Sequence, residues 1–315
     1  MIRLLVVLVG LIAPLSNVYA EFSTPKILHS SGDFYYHQIH PTNSDNKKRD
    51  PLIPVFILGG GPGFSSWNLE PIQQEIANTG HSVYLMDMLG IGENRTNKPE
   101  KLLSAWIEQI EQLKQKVSPD QPVILAAHSW GALMAMLYTR AHQDSVDRII
   151  LLNPVDPQKK AMEHLTAEIH ERNTQETDTK WDDDSAWEQT TEIKPEDIQY
   201  ITLRQIQQVL PTYFLDYEQG TRYAAQFTVK DFDIDLNIQA WKEYDAKPVL
   251  FSEINAWKKP LHFIECKQDY LMPYNLNAMQ PNIKLASVDI IDQCGHFPWI
   301  EQPKTFYNLL EQVLR

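Results

Sequence analysis

Two cysteines in 315 residues leave room for one disulfide at most, which excludes a cysteine-stapled scaffold. Positive charge is also short. The chain has 28 Lys and Arg against 41 Asp and Glu, a net charge of −13, which argues against nucleic acid as a partner. Beyond the first twenty residues no apolar run is long enough to cross a bilayer. No internal repeat or low-complexity tract is present, which removes solenoids and disordered linkers from consideration. What remains is a globular chain, 43% hydrophobic and 10% aromatic, of a length that suits one large α/β domain or a core with a smaller companion.

The first twenty residues stand apart. Arg3 precedes an apolar stretch over 4–15, and Val18-Tyr19-Ala20 has the small-residue pattern of a cleavage site. This reads as a secretory signal peptide over 1–20, cut after Ala20, too short for a comfortable membrane span, with an uncleaved N-terminal anchor as the alternative. The expected mature protein is secreted or periplasmic and has no stable membrane insertion.

From 26 to 154, strand and helix signals alternate. Strands are expected at 34–40, 53–58, 82–87, 122–127 and 148–152, with helices over 66–78 and 98–117. In the second helix Leu102, Leu103, Trp106, Ile107, Ile110 and Leu113 recur at helical spacing. This rhythm predicts an α/β fold, a mainly parallel sheet with helices on both faces. Residues 43–50 are expected to form a polar loop, the tip of a hairpin.

Residues 155–247 break the rhythm. They hold 20 acidic and 10 basic side chains, a net of −10, with several aromatics and no clear buried strand. They are expected to form an inserted helical cap. The strand and helix pattern resumes over 248–315, with strands at 261–266 and 284–291 and a closing helix at 304–314.

The most informative residues are Ala127-His128-Ser129-Trp130-Gly131, set between an apolar strand and a helix-forming run. A small residue followed by x-Ser-x-Gly on such a corner forces the serine into a sharp turn with its hydroxyl projecting. The helix behind it offers free N–H groups to a developing oxyanion. A serine hydroxyl needs an imidazole as base. His296, in the loop between the last strand and the last helix, is the best placed, and His128 is the weaker alternative. The imidazole in turn needs a carboxylate. Asp269 lies just past the preceding strand, giving the chain order Ser, Asp, His. Asp289 and Asp292 are weaker candidates. Two oxyanion donors are expected, the N–H of Trp130 and an N–H of the loop Gly59-Gly60-Gly61-Pro62-Gly63 after strand 53–58, with Gly60 beside the substrate. That loop lacks the Lys-Ser/Thr of a nucleotide-binding loop.

Together these motifs resemble an α/β-hydrolase of the prolyl aminopeptidase (proline iminopeptidase, S33-type serine peptidase) family. Gly59-Gly60-Gly61-Pro62-Gly63 resembles its His-Gly-Gly-Pro-Gly loop, and Asp87-Met88-Leu89-Gly90-Ile91-Gly92 its Asp-x-x-Gly-x-Gly turn. Ser129-Trp130-Gly131 matches its nucleophile elbow. Gly295-His296-Phe297-Pro298 with Glu301-Gln302-Pro303 resembles its histidine loop. The resemblance covers about 50–153 and 248–315, and the insertion by position only. It implies Ser129 as nucleophile, His296 as base, Asp269 as acid, and Gly61 with Trp130 as oxyanion donors. It also implies a cap that binds a free amino terminus through acidic side chains, for which Asp182, Asp183, Asp184 and Glu188 are candidates. A solvated acidic loop is the bland alternative for these four.

Three positions depart from the family. Gly59 stands for His, Leu89 for Arg, and Ala127 for the first Gly of the elbow. They leave the triad intact and bear on proline selectivity. A short-peptide aminopeptidase preferring proline is expected, with a carboxylesterase or lipase acting on short acyl esters as the enzymatic alternative. A catalytically silent binding protein of the same fold is the alternative outside enzymes. No cofactor and no metal are implied, and the partner is a small-molecule or short-peptide substrate. In this fold the strands ending at Cys266 and Cys294 are neighbours, so a disulfide tying the Asp269 and His296 loops and a pair of buried thiols are both open.

Overall fold

The computed structural model describes residues 27–30, 32–41, 52–158, 167–169, 171–172, 174–175, 195–271, 279–284 and 286–315. The signal segment 1–20, the loop 43–50 and the acids Asp182, Asp183, Asp184 and Glu188 lie outside them.

Eight strands form one sheet: β1 (Ile27–Ser30), β2 (Tyr35–Ile39), β3 (Val55–Leu58), β4 (Val83–Leu85), β5 (Val123–His128), β6 (Val146–Leu152), β7 (Leu261–Cys266) and β8 (Ala286–Ile291). Their spatial order is β1-β2-β4-β3-β5-β6-β7-β8. β2 pairs antiparallel with both β1 and β4, and every other pairing is parallel. β5 therefore lies inside the sheet, where a strand is covered on both faces and reads as a continuous apolar run. Its alternate residues feed separate cores. Val123, Leu125 and Ala127 face one, Ile124 and Ala126 the other.

Between the early strands lie α1 (Glu70–Asn78), α2 (Leu102–Val117) and α3 (Gly131–Ala141). α1 packs in the second core through Ile72, Ile76 and Ala77, and α2 in the first through Leu102, Trp106, Ile110 and Leu113. Between β6 and β7 the described residues hold α4 (Pro195–Val209), α5 (Tyr217–Ala224), α6 (Ile234–Ala246) and α7 (Phe251–Trp257). After β8 come the one-turn α8 (Pro298–Glu301) and α9 (Pro303–Leu314).

Several details differ from the sequence reading: α1 begins at Glu70 rather than 66, and α7 precedes β7 where no helix is expected. β1 is an additional four-residue edge strand, too short for its pattern to register. α2 begins at Leu102 rather than near 98, because Glu243 of α6 reaches across and its two carboxylate oxygens accept the free N–H groups of Leu102 and Leu103. The capping side chain lies 140 residues away in sequence, beyond any local rule.

Candidate active site

Ser129 occupies the turn between β5 and α3 with φ +54°, the left-handed region that a non-glycine residue rarely adopts. It is partly exposed while His128 and Trp130 on either side are buried. The turn is held from behind. Ser129 N–H donates to Leu152 O of β6, and its carbonyl accepts from Ala132 and Val155. Gly131 is glycine for steric reasons, since a Cβ there would collide with the Leu58 and Gly59 carbonyls at the end of β3. The x-Ser-x-Gly pattern thus records how closely α3 starts against β3. At that start the N–H groups have no intrahelical acceptor.

The glycine loop after β3 lies over this corner. A Cβ on Gly60 would come within 3.0 Å of Ser129 Cβ and 3.3 Å of His128 Nδ1. Gly61, next in the loop, has φ +127°. Asp87, at the end of β4, anchors the loop by accepting Ser66 N–H at 2.6 Å and Glu93 N–H at 3.1 Å. Burial pushes the Asp87 carboxyl up from its ordinary value, and these two N–H donors offset that rise only in part. Gly92 is required by this arrangement, because a Cβ there would run into the Asp87 carboxylate. The Asp-x-x-Gly-x-Gly motif is therefore a support for the glycine loop.

The three departures from the family pattern are each accommodated locally. At Gly59 a side chain would meet Ser66 Oγ at 2.7 Å, and that hydroxyl is engaged with Met86 O. Leu89 is held through its backbone, its N–H donating to Gln109 and its carbonyl accepting from Trp106. Ala127 is fully buried in β5.

Asp269 and His296 come together in the second half. His296 Nδ1 donates to Asp269 Oδ2 at 2.7 Å, and both side chains are nearly inaccessible to solvent. Because the carboxylate can only accept, Nδ1 carries the proton and Nε2 is the basic nitrogen. Among the described residues Ser129 Oγ has no hydrogen-bond partner, so two of the three expected members are joined. Asp289 lies in β8 opposite Ile264, and Asp292 is bound to Gln268 and Lys267 at the surface. His128 is buried, with Nε2 donating to the His296 carbonyl at 3.0 Å, and burial holds it well below its ordinary value and therefore neutral. It supports the histidine loop through the backbone.

Cys266 and Cys294 form a disulfide, with Cα atoms 5.2 Å apart, between the strand that leads to Asp269 and the loop that leads to His296. One residue escaped the sequence reading altogether. Asn153, fully buried with φ +42°, donates through Nδ2 to Asp269 Oδ2 at 2.8 Å and to Gly295 O at 2.9 Å. Its Oδ1 accepts Cys266 N–H at 3.1 Å. The signal was a polar residue closing the apolar strand over 148–152, immediately before Pro154. Glu301, quoted only as part of a motif, accepts from Gly295, Phe297 and Leu215.

The insertion reaches both loops. Phe64 and Phe232 form a β-bridge, with Ser65 N–H donating to Asp231 O and Asp233 N–H to Gly63 O. Asn237 Nδ2 donates to Pro62 O. On the other side His296 N–H donates to Tyr213 O at 2.7 Å. Between them Phe64, Trp67, Tyr223 and Phe227 form an aromatic cluster with ring centroids 5.3–6.0 Å apart, and Tyr223 continues it to Phe297 at 4.9 Å. Among the described residues no group of three or more His, Cys, Asp or Glu could hold a metal ion.

Comparison with known proteins agrees with this architecture. The family model of the alpha/beta hydrolase fold matches residues 53–303. The proline iminopeptidase of Lactobacillus delbrueckii subsp. bulgaricus is 23% identical over 274 residues, 83% of this chain and 89% of the relative. That of Clostridioides difficile is 31% identical over 105 residues, 33% of each chain. Among solved structures, a serine hydrolase from Cycloclasticus zankles superposes with TM-score 0.61 at 16% identity, covering 91% of this chain and 96% of the other. A structure from work on carboxylesterases of Nitrososphaera gargenis gives TM-score 0.62 at 15% identity, covering 91% and 97%. The chain belongs to the alpha/beta hydrolase fold family.

Proposed function

We propose that the protein is a serine hydrolase that releases the N-terminal residue, proline preferred, from short peptides through an acyl-enzyme on Ser129. The observation that carries this reading is the buried 2.7 Å Asp269–His296 hydrogen bond, which leaves Nε2 as the basic nitrogen of a loop whose His296 carbonyl is bonded to His128, the neighbour of a partly exposed, positive-φ serine. In the first half-reaction Ser129 Oγ attacks the carbonyl carbon and its proton passes to His296 Nε2. The oxyanion is held by the N–H groups of Trp130 and Gly61. Collapse breaks the C–N bond as the imidazolium returns its proton to the leaving amine. Water then attacks the acyl-enzyme, its proton again going to Nε2. The acid product departs and Ser129 is restored.

The proline iminopeptidase relatives support the peptidase reading, and the aromatic cluster at the glycine loop suits a proline ring. The same cluster favours a second reading, a carboxylesterase, because flat apolar walls serve an acyl chain equally well. Acidic side chains of the insertion, Asp182, Asp183, Asp184 and Glu188 among the candidates, would bind the substrate's free amine. Export after cleavage at Ala20 belongs to the same proposal, and a mature N-terminus at Glu21 is the expected sequencing result.

Hydrolysis of a proline arylamide, its N-acetyl derivative and a short-chain nitrophenyl ester decides between the readings. Cleavage of the free arylamide, at least tenfold faster than of the acetylated one and lost in Ser129→Ala, is expected. Ester turnover without arylamide turnover selects the carboxylesterase. Equal cleavage of blocked and free arylamides removes amine recognition. Activity on neither substrate points to a silent binding protein.

A further inference from the structure

The loop that carries His296 and the insertion that covers it share one carboxylate. Glu301 Oε2 accepts Gly295 N–H at 2.9 Å from the histidine loop and Leu215 N–H at 2.8 Å from the insertion, while Oε1 accepts Phe297 N–H at 3.3 Å. These three donors surround the imidazole in the chain, one residue before it, one after it, and one across the interface. The His296 N–H itself donates to Tyr213 O at 2.7 Å, two residues before Leu215. Gly295 has no room for a side chain, since a Cβ there would collide with that same Tyr213 carbonyl. Phe214 stacks on Phe297 at 4.6 Å with the rings 17° from parallel. The Tyr213–Leu215 stretch and the histidine loop therefore form one hydrogen-bonded unit with Glu301 at its joint.

We propose that Glu301 is a positioning residue for His296, fixing the imidazole by locking its loop to the Tyr213–Leu215 stretch of the insertion. The proposal rests on Ser129 and His296 acting as nucleophile and base. An N–H groove satisfied by a single carboxylate is a stiff arrangement. Charge-assisted hydrogen bonds to backbone N–H are stronger than neutral ones, and the Gly295 and Phe297 donors are part-buried, where losing an acceptor is costly. Burial pushes the Glu301 carboxyl up, with the nearby Asp269 carboxylate adding to the rise, while the three N–H donors work the other way. Asp269 and His296, linked to each other at 2.7 Å, share this environment with Tyr213, whose ring lies 5.3 Å from that of His296, and with Arg172, whose guanidinium donates to the Leu215 carbonyl at 2.8 Å. Cap movement on this side would carry His296 with it.

The test uses the full-length mature chain and a fluorophosphonate probe, whose reaction requires only an activated serine and no knowledge of the substrate. Saturation kinetics separate the limiting inactivation rate from the half-saturating concentration. In Glu301→Gln the amide oxygen can still accept from Leu215 and Gly295, so partial function is retained. The limiting rate is expected to fall about tenfold in Glu301→Gln and about 100-fold in Glu301→Ala, with half-saturation unchanged, as small misplacements of a catalytic group produce. A limiting rate equal to the native one in a folded Glu301→Gln or Glu301→Ala overturns the proposal. So does a raised half-saturating concentration with an unchanged limiting rate, which would place Glu301 in cap binding alone. If Glu301→Ala does not fold, the Gln variant decides by itself. Native labelling that persists in Ser129→Ala overturns the hydrolase reading, and the proposal with it. Native labelling that is lost in Ser129→Ala but unaffected by Glu301 substitutions overturns only the proposal.

Discussion

The two loops that flank Ser129 are built by opposite means. The glycine loop at 59–66 is shaped by absent side chains. Gly60 lets backbone approach Ser129, Gly63 leaves space for the Asp233 carbonyl, and Gly131 beneath lets α3 begin against β3. The histidine loop is shaped by polar side chains that are present, buried at Asn153 and His128 and half-buried at Glu301. Asn153, His128 and Glu301 bind its backbone, and the Cys266–Cys294 disulfide ties it to the Asp269 loop. Glycine side needs room, and histidine side needs partners. A substitution that adds atoms should therefore hurt the first loop, and one that removes polar atoms should hurt the second.

The sharpest break on the histidine side is Asp269→Asn. It keeps the shape but removes the carboxylate that fixes the Nδ1–H tautomer, and kcat is expected to fall by about 10⁴ with the melting temperature nearly unchanged. Circular dichroism and steady-state kinetics on the same preparation check this, and a loss below tenfold would contradict it. On the glycine side Gly60→Ala places a methyl 3.0 Å from Ser129 Cβ. About a 10²-fold loss in kcat is expected, since the donor array of the loop is displaced from the oxyanion. A normal kcat in Gly60→Ala would show that the loop does not press on Ser129.

This contrast also explains what could be read from the chain alone. Glycines at 59–63 and 131 and the strand-to-corner transition are local patterns, so the corner and the loop over it were legible. The positions of Asp269 and His296 followed from the ends of two strands. Asn153 was not legible, because its three partners come from 116, 142 and 113 residues further along the chain. Glu301 was visible as a letter of a motif, but its bond to Leu215 spans 86 residues. For the same reason Glu243 as the cap of α2 left no trace in the local sequence. Polar partners that close a buried loop carry no periodicity, and composition does not reveal them.

Two smaller effects separate the two loops further. Replacing both Cys266 and Cys294 by serine opens a loop of sequence separation 28, and a loss of about 3 kcal/mol of stability is expected from chain entropy. Urea unfolding measures it, and the loss should exceed that of any single surface substitution on the glycine loop. The smallest effect is a pH slope. His128 is held neutral in the fold, below its ordinary 6.5, while the unfolded chain protonates it below that value. Its contribution to stability is present above pH 6.5 and lost as pH falls, with a slope of at most about 1.4 kcal/mol per pH unit. In His128→Phe the slope between pH 6.5 and pH 5 should be shallower by up to that amount, and an unchanged slope would show that His128 is not buried neutral.

All of this chemistry stands or falls with Ser129 as the nucleophile. Peptide mapping by mass spectrometry after fluorophosphonate treatment reads the reacting residue itself. One adduct per chain is expected, on Ser129, and none in Ser129→Ala. An adduct on another residue, or equal labelling of Ser129→Ala, would contradict it.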